Sequence, residues 1–250
     1  MSHVSIVVPL FNKADYIRRA LDSVAHQTFG DFEVIIVDDG STDGSEMIAG
    51  SYPDARFRVM HQENQGPGAA RNAGIAEVTG ELTAFLDADD EWLPHHLETA
   101  AKAFDHFGSK LAAFTAGYIE FPAEVSTEPM WRRRGIQDGL VAIDASTRPE
   151  ILHYMLAYMS CCSTVARTET LRKWGGFYEH RCTFGEDSFL WLKILLNEPV
   201  FFELRPGVRF HREAGNLSQN LSGARPLEPL HSNRDDIERD CPQTLASPLA

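Results

Sequence analysis

The chain has 250 residues, 43% of them hydrophobic, and a formal net charge of -13. That length suits one large domain with a sizeable core, or one domain with an appendage, and the acidic balance argues against a nucleic-acid partner, which needs a basic face. No run approaches the ~18 consecutive apolar residues of a membrane span, and the amino terminus lacks a charged-then-apolar leader, so a soluble cytoplasmic protein is expected.

Strand and helix patterns alternate from the start. Val4 to Pro9 is an apolar, β-branched strand that ends where proline can no longer donate to a central ladder. Ile17, Ala20, Leu21 and Val24 recur at helical spacing. Glu33 to Asp38 is a second strand, and Ser41-Thr42-Asp43 after it is a turn and helix-cap signal. Arg56 to His61 reads as a strand, Gly68 to Val78 as a helix, Leu82 to Asp87 as a strand, Leu93 to Phe107 as a helix and Leu111 to Phe121 as a strand. Such alternation predicts an α/β fold with a mostly parallel central sheet covered by helices on both faces. Residues 122–147 carry Pro, charge and Trp131-Arg132-Arg133-Arg134, and read as a loop or insertion. A helix near Glu150 to Ala157, an apolar stretch Met159 to Ala166, a helix from about Asp187 to Leu196 and short strands at Val200 to Leu204 and Val208 to Phe210 follow. Residues 213–250 are polar and rich in Ser, Asn and Pro, a loosely held tail. Cys161, Cys162, Cys182 and Cys241 lack metal-binding spacing and read as reduced thiols.

The segment Leu82-Thr83-Ala84-Phe85-Leu86-Asp87-Ala88-Asp89-Asp90 is the most informative. An apolar strand that ends in three carboxylates delivers them to the edge where open α/β sheets bind ligands. Carboxylates gathered there repel unless a cation neutralises them, and hard oxygen donors favour Mg²⁺ or Mn²⁺. The alternative is that Asp89 or Asp90 caps the following helix. An EF-hand is excluded because Trp92 stands where its loop needs glycine. Two further loops emerge on the same side: Asp38-Asp39-Gly40-Ser41-Thr42-Asp43-Gly44, and Asn64-Gln65-Gly66-Pro67-Gly68-Ala69-Ala70-Arg71-Asn72-Ala73-Gly74. Gly66 and Gly68 permit close backbone approach, and the helix start after them can attract an anion. Neither a dinucleotide fingerprint nor a Walker A loop is present.

Taken in order, Val7-Val8-Pro9-x-Phe11-Asn12, Val37-Asp38-Asp39-Gly40-Ser41-Thr42-Asp43, Ala70-Arg71-Asn72-x-Gly74 and Phe85-Leu86-Asp87-x-Asp89-Asp90 resemble the family 2 glycosyltransferases, inverting enzymes of the GT-A fold that use nucleotide-diphosphate sugars. The likeness covers about residues 4–100 closely and 180–215 more loosely. It implies a donor-binding half over 1–121, an acceptor and catalytic-base half over 122–212 and a tail over 213–250. It further implies that Pro9, Leu10 and Phe11 floor the nucleoside and that Asp39 reads the base. Arg71 would reach the base, Gly66 and Ala88 would line the donor, Asp87 would lie near the ribose, and Asp89 would ligate Mn²⁺ or Mg²⁺. Alternatives stay open: Asp38 or Asp39 as turn caps, and Arg71 as a structural partner of Asp38 or Asp87.

Thr183-Phe184-Gly185-Glu186-Asp187 resembles the family's Glu-Asp motif at a helix start. An inverting transfer needs one carboxylate to take the acceptor's proton; Asp187 is assigned that role and Glu186 would orient it or touch the acceptor, against a capping alternative. His211 stands where relatives carry a histidine, as a third metal ligand or a structural residue. The implied function is transfer of a sugar, UDP-linked by preference, to a glycan or lipid-linked acceptor in surface polysaccharide or glycoconjugate synthesis. The competing readings are a noncatalytic nucleotide-sugar-binding subunit and a nucleotidyltransferase. Trp131 to Arg134 is a basic aromatic cluster suited to a sugar, a phosphate or an anionic membrane surface, or a solvated loop; Tyr154, Tyr158 and Trp174 line an acceptor groove or belong to the core.

Overall fold

The computed structural model describes residues 3–180, 185–214 and 229–242. One ten-stranded sheet runs through it, in the order β3-β2-β1-β4-β9-β6-β10-β5 with two short strands, β7 and β8, paired at the side. β1 (Val4–Leu10), β2 (Phe32–Asp38), β3 (Phe57–His61) and β4 (Leu82–Phe85) are mutually parallel. β1, β2 and β4 are mostly apolar and buried because both faces are covered, whereas β3, at the sheet edge, is half exposed. Ile6, Val8, Leu10, Val34 and Ile36 point into a core shared with α1 (Ile17–Ala25) and α4 (His96–Phe107). Val7, Ile35, Val37 and Phe85 point into a second core, under α3 (Pro67–Glu77), α6 (Pro149–Tyr158) and α8 (Glu186–Asn197).

The chain winds outward from β1 through β2 and β3, then returns across α3 to lay β4 on the other side of β1. This reversal of strand order opens a crevice beyond the carboxyl ends of β1 and β4, the place where such sheets bind ligands. The register Leu10↔Asp38 and Val7↔Phe85 brings Phe11, Asp39 and the 86–90 loop to that crevice.

Beyond β4 the sheet is mixed. β9 (Thr164–Arg167) lies antiparallel between β4 and β6 (Ala113–Phe121), and it accounts for the second half of the apolar stretch 159–166. The two short strands expected near 200–210 are a single strand, β10 (Val200–His211), parallel to β6 and irregular between Glu203 and Val208. Tyr158 donates its hydroxyl to the Glu203 carbonyl at 2.6 Å, satisfying a backbone group at that irregularity. β5 (Glu91–Trp92), too short to register in the sequence pattern, pairs antiparallel with β10 through Trp92↔Val208 and Glu91↔Arg209. The acid loop is therefore tied at its far end to the last strand.

Two expectations change. Within 122–147, expected to be loop, β7 (Val125–Ser126), α5 (Glu128–Arg133) and β8 (Gly139–Val141) form, the first pairing β6 and the last pairing β10. Within the expected tail, residues 229–240 form α9 (Pro229–Ser232) and α10 (Arg234–Asp240). Ile237 and Leu230 pack on Phe189 and Leu196 of α8, and the Lys193 ammonium pairs with Asp240 at 2.9 Å. A polar sequence conceals this docking because a few apolar contacts and one ion pair suffice to hold a short helix pair. α2 (Ser45–Gly50) and α7 (Thr168–Lys173) complete the fold.

Candidate active site

The loop after β1 is laced to the loop after β2. Thr42 donates its N–H to Asn12 Oδ1 at 2.8 Å, and Ala14 donates its N–H to Asp43 Oδ2 at 2.8 Å. Asp43 also accepts the Ser45 N–H at 2.9 Å at the start of α2, and Asp38 Oδ1 accepts the Ser41 N–H at 3.2 Å, so the turn-cap alternative is observed for Asp38. Asn12 sits at φ 52, a left-handed turn residue that asparagine tolerates. Phe11 follows Pro9 and Leu10 out of β1 and is 46% exposed, an aromatic face left open beside the crevice. Asp39 is buried, and its carboxylate accepts Gln62 Nε2–H at 2.7 Å and the N–H groups of Gln65 and Gly66, both at 2.9 Å. Asp39 thus anchors the loop that opens α3, and the Gly66 amide is directed at it. Gly66 itself needs its glycine, at φ 94.

Arg71 is the hub. Its guanidinium donates Nη2–H to Asp87 Oδ1 and Nη1–H to Glu186 Oε1, both at 2.7 Å, and lies over the Phe177 ring. One cation therefore ties the acid loop after β4 to the start of α8, across 115 residues of sequence. Of its open alternatives, pairing with Asp87 is observed. The neighbouring motif residues serve the same closure. Asn72 accepts the Phe177 N–H and donates to the Phe177 carbonyl, both at 2.8 Å. A Cβ on Gly68 would stand 2.1 Å from the Tyr178 carbonyl oxygen, and one on Gly74 2.4 Å from Val7 Cγ1. The close approach at Gly68 is thus to the protein's own backbone, and Asn72 is a functional position that the motif contained but the sequence reasoning did not assign.

The three carboxylates of the acid loop point in different directions. Asp87 is partly exposed and held by Arg71. Asp89 faces Lys13, whose Nζ stands 2.5 Å from Oδ2, and burial together with the Asp87 charge raises its pKa. Asp90 is buried; Oδ1 accepts the His211 N–H at 2.8 Å and Oδ2 has no hydrogen-bond partner among the described residues. Burial and its two acidic neighbours, Asp87 and Asp89, push the Asp90 carboxyl well up. Neither Asp89 nor Asp90 caps a helix, because β5 intervenes and α4 begins only at His96. Ala88, between them, is buried against the core. Asp87, Asp90 and Cys162 have donor atoms within 4.8 Å of one another.

His211 reaches the same region but is otherwise engaged. Its Nδ1 lies 2.7 Å from Glu213 and its Nε2 2.7 Å from Glu91. Both ring nitrogens therefore face carboxylates of this chain rather than the acid loop's open side.

Asp187 and Glu186 open α8 behind Gly185, which takes φ 78. Asp187 Oδ1 accepts the Ser188 N–H at 2.7 Å; among the described residues Oδ2 meets the Cys161 thiol, at 3.8 Å. Burial and then Glu186 push its pKa up to about 6, and Arg71 works against them. Residues 181–184, including Cys182, Thr183 and Phe184 of this motif, lie outside the described residues.

The basic aromatic cluster is corrected. Trp131 is 3% exposed and packs edge-on against Tyr158, itself fully buried, so neither meets an acceptor or a membrane. Arg134 covers the Trp131 and Tyr154 rings, and Arg132 pairs with Glu128 and Asp138 at 2.8 Å. The indole sits at helical spacing on α5 and fills core volume under β10. Trp174 donates to Glu198 at the far end of α8. Cys161, Cys162 and Cys241 are free thiols, as expected. No helix among the described residues is long and apolar enough to cross a membrane.

Comparisons with known proteins bear on the family and the fold. The model of a family described as Glycosyl transferase family 2 matches residues 5–159. An uncharacterized glycosyltransferase of Rickettsia felis is 32% identical over 217 residues, which cover 85% of this chain and 35% of that protein. The putative glycosyltransferase EpsH of Bacillus subtilis is 50% identical over 97 residues, 38% of this chain and 28% of that one. The chain spans about a third of the length of these relatives. Among solved structures, S. aureus TarS 1-349 in complex with UDP-GlcNAc superposes with a TM-score of 0.76 at 23% identity, covering 95% of this chain and 66% of that one. The mannosyltransferase PcManGT of Pyrobaculum calidifontis, in complex with GDP-Man and Mn²⁺, gives 0.58 at 20% identity, covering 96% and 61%. At such identities the likeness is one of fold.

Proposed function

Because the chain belongs to glycosyl transferase family 2 and has the GT-A fold, we propose that it moves a sugar from a nucleoside-diphosphate donor to an acceptor hydroxyl, with inversion at the anomeric carbon. The observation that carries this reading is the double ion pair of Arg71. It holds the acid loop at the strand-order switch and the Glu186-Asp187 helix start within the span of one guanidinium, so a donor seated in the crevice would face Asp187.

The donor's base would lie on Phe11, above Pro9 and Leu10, with Asp39 and the Gly66 loop at its edge; Asp87 and Ala88 would border the ribose. Uridine is favoured, consistent with a TarS structure holding UDP-GlcNAc. Asp187 would remove the acceptor proton: an acid poised near pH 6 is mostly ionised at neutral pH, yet more basic than an ordinary carboxylate. Glu186, neutralised by Arg71, orients the helix start. No protein nucleophile is required, and burial raises the Cys161 and Cys162 thiols well above their usual range, which leaves them inert.

A divalent cation fits the acid loop. Its donors are carboxylate oxygens, Asp89 already holds a cation in the form of Lys13, and Asp90 Oδ2 is buried without a hydrogen-bond partner among the described residues. Asp89 would hold Mn²⁺ or Mg²⁺, with His211 joining only if its ring gave up Glu213 or Glu91. When bound, such an ion neutralises charge on the departing diphosphate. The acceptor, a glycan or a lipid-linked sugar in polysaccharide or glycoconjugate synthesis, would approach from the 122–212 half.

A thermal-shift panel of UDP, GDP, dTDP and CDP, each with and without Mn²⁺, tests the donor site. A ligand at ~100 times its dissociation constant stabilises by about 2.7 kcal/mol. One diphosphate is expected to shift the melting temperature, more so with metal; no shift with any of them would overturn the reading.

A further inference from the structure

Lys13, which no sequence motif singles out, stands in the crevice itself. It follows Asn12 in the turn after β1, and its backbone is pinned on both sides. The Asn12 N–H donates to Ser41 Oγ at 3.1 Å, and the Ala14 N–H goes to Asp43. From that fixed point a four-carbon stem carries the ammonium. Its Nζ donates to Asp89 Oδ2 at 2.5 Å and to the Ala214 carbonyl at 2.8 Å, and both charged side chains are largely covered, at 17% and 15% exposure. Arg19 also reaches this loop, but it donates Nη2–H to the Asp89 main-chain oxygen at 2.6 Å and leaves the carboxylate to Lys13. One carboxylate thus has two claimants, the ammonium and the metal ion assigned to it above.

We propose that Lys13 is a resident counter-ion of Asp89, which competes with a divalent cation for that carboxylate and passes to the donor's diphosphate when the donor binds. This rests on the donor-site reading above. The physical reason is charge. An ammonium and a divalent ion on one carboxylate would be like charges only a few ångströms apart, so one must leave. The diphosphate is the anion that would receive the displaced ammonium, and a lysine binds phosphate as a mobile point charge. The swing has a second consequence. Releasing the Ala214 carbonyl unties the exit of β10 from the loop after β1, so donor binding would loosen the segment that follows His211.

The test is Mn²⁺ binding to the nucleotide-free protein, followed by electron paramagnetic resonance of the free ion, for the wild type, Lys13→Met, Lys13→Arg and the double variant Lys13→Met with Asp89→Asn. Lys13→Met is expected to bind Mn²⁺ on the order of tenfold more tightly than the wild type, about 1.4 kcal/mol, because a like charge is removed from the site. Lys13→Arg, which keeps the charge, should match the wild type, and the double variant should lose the gain. In parallel, Lys13→Met should bind UDP several-fold more weakly without metal. Equal Mn²⁺ affinity of the wild type and a folded Lys13→Met, or a gain that survives Asp89→Asn, would overturn the inference even where nucleotides bind. Should no nucleotide bind any variant while the Mn²⁺ gain appears, the competition stands, and both the donor reading and the transfer to diphosphate fall.

Discussion

At Asp187, burial and the adjacent Glu186 carboxylate raise the acid to about 6, and that one shift makes separate predictions for rate and for stability. For rate, the base must be ionised, so kcat/KM should rise with pH through a limb near 6; a profile flat from pH 5 to 8 would remove Asp187 from the role. Asp187→Asn should lower kcat by roughly 10²–10⁴-fold while the UDP-induced thermal shift persists. For stability the sign is opposite. A carboxyl whose folded pKa lies above its unfolded one binds more protons in the fold, so its contribution declines as pH rises from about 4 to about 6. Asp187→Asn should therefore melt higher than the wild type at pH 8 and nearly level with it at pH 4. Arg71 behaves in the other way. It is buried between two carboxylates, and Arg71→Ala would leave Glu186 charged, covered and unpaired. Denaturant melts should show a loss of about 3 kcal/mol, the low end for breaking a buried pair, because Asp87 keeps part of its hydration. Both residues stand out in the sequence by type and motif. Pairing of Arg71 with Asp87 was among the alternatives the sequence left open; its tie to Glu186 was not legible, because that partner lies 115 positions away.

At the scale of elements, α3 and α8 are the two helices that place the chemistry, and each is positioned by backbone fit. Gly68 on α3 admits the Tyr178 carbonyl where a Cβ would stand 2.1 Å from it. Gly68→Ala must push the 176–180 segment away from α3, which should cost about 1–3 kcal/mol by overpacking and weaken the Arg71–Glu186 tie with it. Gly50, at the end of α2, has nothing within 4 Å of such a Cβ, and Gly50→Ala should be neutral or stabilise by about 0.5 kcal/mol. Thermal melts of the pair test whether the space, rather than the glycine, is what matters. α8 is braced from behind by α10. Ile237→Ala should cost about 2 kcal/mol, near the low end for a core truncation since the cluster around it is small. The periodic helices were legible because burial imposes a 3.6-residue rhythm; α10 was not, since one apolar residue in seven sets no rhythm.

Over the whole molecule, the donor half and the half that carries Asp187 share one sheet, joined by β9 between β4 and β6. Trp92, on β5, and Trp191, on α8, report on opposite faces of that sheet. Unfolding followed by tryptophan fluorescence and by far-ultraviolet circular dichroism should give coincident transitions; separated midpoints would mean that the two halves fold as independent units. The excess of acid is concentrated in function at the crevice, where Asp87, Asp89 and Asp90 lie within one turn.

The sequence alone determined the alternating α/β order, the parallel amino-terminal strands, and the arrival of Asp39, Arg71 and Asp87 to Asp90 at one edge. These follow from local periodicity and from the rule that parallel strands deliver their carboxyl ends to the same side. The tertiary structure decided what each of those groups touches. Asp39 spends its acceptors on the loop between β3 and α3, His211 faces two carboxylates, Trp131 is core, and Asp89 is claimed by Lys13. Such pairings depend on side-chain directions between segments tens to hundreds of residues apart, and no local pattern in the chain encodes them.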